Sequence, residues 1–136
     1  MWFRIFALIG IVGSSATAGE IIKGKVTHVR DVDTIEVSGL PVRLNGLDGP
    51  ELDERGGKAG KRFMQGLVLH KPVQCELTGA KTYDRLVGTC YFNGVDIAQI
   101  AVSEGHARDC PRYSRGRYKK FETSASKRIP RKSYCR

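Results

Sequence analysis

Carboxylates and arginines alternate along the first two thirds of this chain in an order that could break a phosphodiester. Asp31-Val32-Asp33-Thr34 comes first, then Arg43, then Asp48-Gly49-Pro50-Glu51, and later Tyr83-Asp84-Arg85. Carboxylate oxygens are ligands for a hard cation such as Ca²⁺. Arginine forks grip phosphate oxygens, often two at a time. A phosphodiester is already anionic and repels an incoming hydroxide. A divalent cation and two arginines offset that repulsion, and a spare carboxylate can act on water. The three histidines, His28, His70 and His106, share no spacing that would make a metal set or a histidine-based catalyst.

These residues need a scaffold, and the hydrophobic pattern supplies one. Val26 to Val29 reads as a short strand. Thr34-Ile35-Glu36-Val37 alternates, Ser38-Gly39-Leu40-Pro41 supplies turn residues, and Val42-Arg43-Leu44 resumes the alternation. That is a hairpin with Ile35, Val37, Val42 and Leu44 on one face and Arg43 on the other. Ala59 to Leu69 carries Phe63, Met64, Leu67 and Val68 at helical spacing, ended by Pro72. Val73 to Leu77 and Leu86 to Phe92 read as further strands, the second closed by Asn93-Gly94. Asp96 is placed to cap a helix with Ile97, Ile100 and Ala101, and Gly105 to stop it. Tyr113 to Lys127, between Pro111 and Pro130, is expected to form a third, basic helix. Five short strands with about three helices point to an α+β fold around a small barrel.

The amino terminus has the form of an export signal. Met1-Trp2-Phe3-Arg4 is a positive n-region, Ile5 to Val12 an apolar run, and Ala16-Thr17-Ala18 a cleavage site. The run is too short to span a bilayer, so residues 1–18 are expected to be removed, with no stable membrane insertion afterwards. The mature domain would be 19–136, secreted or periplasmic, and is expected to be a monomer. Cys75, Cys90, Cys110 and Cys135 contain no C-x-x-C, which argues against zinc and favours two disulfides. Four cysteines allow three pairings. The expected one is Cys75–Cys90, across successive strands, with Cys110–Cys135 bracketing the terminal helix.

The formal charge of +9 is uneven. Residues 19–109 hold 12 Lys and Arg against 13 Asp and Glu; residues 110–136 hold 10 against the single Glu122. The tail, 110–136, is therefore a polycation that would attract polyanions by releasing their counterions. Tyr113, Arg115, Arg117, Tyr118, Lys119 and Lys120 are its candidate nucleic-acid contacts.

Taken in order, these motifs resemble the staphylococcal nuclease family. The family's D-G-D-T stands here as Asp31-Val32-Asp33-Thr34. Its R-L-x-x-x-D-T-P-E stands as Arg43 to Glu51, with Gly49 in place of threonine. Its D-x-Y-G-R stands as Lys81-Thr82-Tyr83-Asp84-Arg85. The resemblance covers the chain to about residue 109. It implies a five-stranded OB-fold barrel and a Ca²⁺-dependent endonuclease that hydrolyses DNA and RNA to 3′-phosphate ends. It also implies roles: Asp33 and Asp48 as carboxylate ligands of Ca²⁺ and Gly49 as a carbonyl ligand. Glu51 would act on the attacking water, Arg43 and Arg85 on the scissile phosphate, and Asp31 would support the site. The alternatives are an OB module that only binds nucleic acid and a cationic envelope protein. A binding module would have no use for the full set of carboxylates and arginines kept here.

Overall fold

The computed structural model describes residues 16–136. The expected leader lies outside the described residues up to position 15. Ala16 is half-buried against the core, and the Gly19 amide donates to the Leu77 carbonyl at 2.8 Å.

The fold is mixed α+β with a mostly antiparallel sheet. Its elements are β1 (Ile21–Asp31), β2 (Thr34–Val37), β3 (Leu40–Leu44), β4 (Leu47–Asp48), α1 (Gly57–Val68), β5 (Pro72–Thr82), β6 (Arg85–Phe92) and β7 (Val95–Asp96). They continue with α2 (Ile97–Ser103), β8 (Arg108–Asp109), α3 (Pro111–Ser114) and α4 (Ser124–Lys127), plus single 3₁₀ turns at Lys119–Phe121 and Ser133–Cys135. The sheet runs β3-β2-β1-β5-β6-β7, and β3 also pairs with β6. That last pairing is parallel, Arg43 opposite Val87, and it joins the sheet back on itself. The long β1 serves two partners. Its first half pairs with β5 and its second half with β2. Register shifts at Val26/His28 and Val29/Asp31 bend it between the two.

The alternating pattern explains the core. Ile35, Val37, Val42 and Leu44 are all buried, as are Val26, Val29, Met64, Val68, Ile97 and Ala101. Asp96 caps α2, its Oδ1 accepting from the Ala98 amide at 2.9 Å, and Gly105 follows in the left-handed region at φ 81°. On α1, Met64 and Val68 face inward while Phe63 and Leu67 line the margin. The helix ends sooner than Pro72 requires. His70 adopts φ 65°, turning the chain so that Pro72 can open β5. Besides the five strands expected, the described residues form three of two residues each, β4, β7 and β8. They are too short to leave a period in the sequence.

The expected basic helix over Tyr113–Lys127 does not form as one piece. Arg115 and Gly116 both take positive φ, 57° and 81°, which ends α3. The chain then passes through a 3₁₀ turn, and Thr123 starts α4 with a reciprocal cap to Ser126. The tail is bound to the body throughout. Arg108 Nε meets Glu122 Oε2 at 2.9 Å, Ser126 Oγ donates to the Val102 carbonyl at 2.8 Å, and Cys110 is joined to Cys135. Cys75 is joined to Cys90, directly opposite it on β6. Among the described residues no helix is long and apolar enough to cross a membrane.

The Phe63 ring on α1 stacks on His106, centroids 4.5 Å apart. Burial holds the His106 pKa below its ordinary value, and Glu104 opposes the shift. A depressed histidine pKa means that the unfolded chain binds the proton more tightly. Its stabilising contribution is therefore full above about pH 6.5 and is lost as pH falls through the folded pKa. Thermal melts from about pH 7.5 to about pH 5 should show a larger loss for the native chain than for His106→Phe.

Candidate active site

The site is assembled where β1, β2, β3, β4 and β6 come together. The β1–β2 turn carries Asp31, Val32 and Asp33. The Asp33 amide donates to Asp31 Oδ1 at 3.1 Å, an Asx turn that fixes the Asp31 carboxylate. Burial, the adjoining Asp33 carboxylate and the charge of Glu51 push the Asp31 carboxyl up to about 7. Asp33 is only 4% exposed. Its Oδ1 accepts from Thr34 Oγ1 at 2.8 Å, and its Oδ2 lies 3.5 Å from Arg43 Nη2.

Thr34 links the acidic and basic halves, because its Oγ1 also accepts from Arg85 Nη1 at 3.0 Å. Arg85 is steadied further by the Thr82 carbonyl, at 3.4 Å from Nε. Arg43 donates to the Leu44 and Leu47 carbonyls at 2.8 and 2.7 Å, which fixes its guanidinium against the β3–β4 turn. Arg43, Glu51 and Arg85 line one cleft, together with Tyr83, Tyr113 and Tyr134. Glu51 is exposed there. Its backbone is held from both sides by Glu54: the Glu51 amide donates to Glu54 Oε1 at 2.8 Å, and its carbonyl accepts from the Glu54 amide at 3.0 Å.

Asp48 is fully buried. Its Oδ2 accepts from the Lys132 amide at 3.1 Å, whereas Oδ1 is buried without a hydrogen-bond partner among the described residues. Burial raises its pKa, and Lys132 opposes the rise. The Gly49 carbonyl accepts from Lys132 Nζ at 2.8 Å. Among the described residues no three acidic, histidine or cysteine side chains converge as a metal set. The oxygens that the family resemblance assigns to a cation are those of Asp33, Asp48 and the Gly49 carbonyl, with water left to complete its shell. All are hard oxygens, and Asp48 Oδ1 has no hydrogen-bond partner among the described residues; the Lys132 ammonium lies 3.7 Å from it. The donors fit Ca²⁺.

The two departures around the acidic turn explain each other. A side chain at Gly49 would collide with Val32 Cγ1. Val32 is wholly buried and also packs on α1, where a Cβ at Gly60 would come within 3.1 Å of its own Cβ. Bulk has moved from position 49 to position 32, and neither residue has a positive φ. Asp84 likewise keeps a negative φ; it is Tyr83, at 55°, that turns the β5–β6 hairpin. Asp84 instead takes a two-pronged bond from Arg30 on β1, at 2.8 and 3.1 Å.

The tail residues divide. Tyr113 lies in the cleft. Arg115, Arg117, Lys119 and Lys120 line a separate basic depression with Lys127. Tyr118 cannot stack on a base, which corrects the expectation for it. It is 1% exposed, and its hydroxyl donates to Asp96 at 2.6 Å and accepts from Arg117 at 2.9 Å. Sequence reasoning passed over two exposed tyrosines, Tyr83 (94% exposed) and Tyr134 (42%). Tyr83 was visible inside the motif that ends in Arg85. Tyr134 lines the cleft next to Cys135, which is tied to Cys110.

The class that this fold and site define is confirmed by comparison. A family model described as staphylococcal nuclease homologue matches residues 41–130. The chain belongs to that family. It is 36% identical over 122 residues to the succinoglycan biosynthesis protein ExoI of Rhizobium meliloti, covering 81% of this chain and 63% of that protein. It is 28% identical over 105 residues to an uncharacterized endonuclease of Haemophilus influenzae, covering 74% of this chain and 59% of that one. The chain thus spans roughly three fifths of the length of these curated relatives.

Proposed function

We propose that this protein is an exported, Ca²⁺-dependent endonuclease that hydrolyses DNA and RNA and leaves 3′-phosphate ends. The observation that carries the reading is the convergence of Arg43, Glu51 and Arg85 on one cleft, with the buried Asp33 carboxylate 3.5 Å from Arg43 Nη2. The cyclic pairing β1-β2-β3-β6-β5 supports a closed OB-fold barrel as the scaffold. The two disulfides support an oxidising destination. The domain is proposed to act as a monomer after loss of residues 1–18.

Asp33, Asp48 and the Gly49 carbonyl would hold Ca²⁺, which when bound supplies Lewis-acid neutralisation of the phosphate and of the attacking oxygen. Glu51 takes a proton from water at its carboxylate. Arg85, aligned by Thr34, and Arg43, aligned by the Leu44 and Leu47 carbonyls, hold the phosphate and offset its developing charge. Asp31 keeps the turn closed around Asp33. Tyr83, Tyr113 and Tyr134 offer faces on which bases can stack. Incubating the purified protein with DNA and RNA oligonucleotides and identifying the new ends by mass spectrometry tests this. Cleavage to 3′-phosphates is expected. Binding without cleavage would favour the non-catalytic module.

The basic depression is proposed to capture substrate. Arg115, Lys119 and Lys120 are available to phosphates, whereas Arg117 is engaged with Tyr118. Neutralising the first three is expected to raise KM for long DNA more than it lowers kcat. The slope of log affinity against log salt should also flatten, by about one unit for each phosphate that is no longer neutralised. Salt titrations of binding, with steady-state kinetics, check both.

A further inference from the structure

Lys132 is absorbed neither by the hydrolytic reading nor by substrate capture, yet it touches more of the proposed cation site than any other residue. Its ammonium sits 2.8 Å from the Gly49 carbonyl, 3.2 Å from Glu54 Oε1 and 3.7 Å from Asp48 Oδ1, and its amide donates to Asp48 Oδ2 at 3.1 Å. One residue thus addresses both oxygens of a buried carboxylate and the carbonyl beside it. A lysine ammonium is a compact point charge with three donors. It neutralises Asp48 as a cation would.

The position is imposed by the tail. Cys135, three residues on, is bonded to Cys110, whose own amide donates to the Gly46 carbonyl at 2.9 Å. On the other side Arg108 Nη1 donates to the Ile129 carbonyl at 3.1 Å. Lys132 is held between these two anchors, so its ammonium is presented to Asp48 at high effective concentration. A metal bound by the Gly49 carbonyl and Asp48 Oδ1 would need the space in which that ammonium lies, and two cations on one carboxylate repel each other.

Building on the Ca²⁺ reading of this site, we propose that Lys132 is a tethered cation that competes with the metal for Asp48 and Gly49. The C-terminal tail therefore sets the affinity of the metal site. Ca²⁺ must displace the ammonium toward solvent, where Glu54, itself exposed, can keep it as a partner. Removing the ammonium relieves the competition, and metal binds more tightly although the rest of the site is unchanged.

Two measurements without turnover test this. The first is calorimetric titration of Ca²⁺ into the native chain and into Lys132→Met. The variant is expected to bind at least about tenfold more tightly, or 1.4 kcal/mol. Equal or weaker binding by the variant overturns the proposal. Absence of Ca²⁺ binding in both would instead defeat the metal reading on which it rests. The second uses only the native chain, in case the variant does not fold: acetylation of Lys132, followed by mass spectrometry, with and without Ca²⁺. Displacement predicts faster labelling of Lys132 in Ca²⁺ relative to the exposed Lys119. Unchanged or slower labelling of a chain that binds Ca²⁺ contradicts it.

Discussion

Glu51→Gln is expected to lower the single-turnover cleavage rate by about a hundredfold to ten-thousandfold, the range typical of a positioned general base. The substitution keeps size and shape and removes only the basic oxygen. Glu51 is exposed, and its backbone is held by Glu54 through bonds that do not involve its own side chain. The melting temperature should therefore stay close to that of the native chain. Arg85→Ala should cost about a hundredfold or more, because it removes a donor aimed at developing charge. Its loss leaves Thr34 Oγ1 without one bond but opens no core cavity, since Arg85 is only half-buried at the cleft. Rapid-quench cleavage assays beside circular-dichroism melts separate the two effects. A native rate from a folded Glu51→Gln variant would place the water-activating group elsewhere.

The second large effect concerns packing under the site. Gly49→Thr restores the residue usual in the family, yet is expected to destabilise this protein by about 1–3 kcal/mol, the range for inserting bulk into a filled core. The new Cβ would meet Val32 Cγ1, and Val32 is wholly buried between this position and Gly60 of α1. Val32→Gly alone is also destabilising, because it leaves a cavity and adds backbone freedom. Together the two changes recreate the family's pairing. Their combined cost should fall short of the sum by about 1 kcal/mol or more. Denaturant melts of the four proteins in the cycle give that coupling. Additive costs would show that Val32 and Gly49 do not share one space.

The strands and helices that hold the site were legible because each carries its own period. Ile35, Val37, Val42 and Leu44 alternate, and every one is buried; Asp96 and Gly105 bound α2 as their side-chain and backbone chemistry dictates. The cleft residues were legible as an ordered set, since Arg43, Glu51 and Arg85 each lie in or just beyond a strand and so arrive at one rim. The tail was not legible in the same way. Its single basic helix fails at Arg115 and Gly116, both in the left-handed region; Gly116 is the one local sign of a break, and it stands inside a run of basic residues that otherwise reads as one helix face. Tyr118 looked like a surface aromatic among lysines and arginines, but it fills the core through the partnership of Asp96, on a distant element. Lys132 read as one charge among ten. Its place beside Asp48 depends on the Cys110–Cys135 bond and on hydrogen bonds that link residues far apart in the chain.

One measurement bears most directly on the central claim: cleavage of plasmid DNA by the purified native protein in Ca²⁺ and in excess chelator. Cleavage is expected with Ca²⁺, with loss in chelator and recovery when Ca²⁺ is restored. Full cleavage in chelator, with no stimulation by added Ca²⁺, would contradict a catalytic site built on Asp33, Asp48 and Gly49.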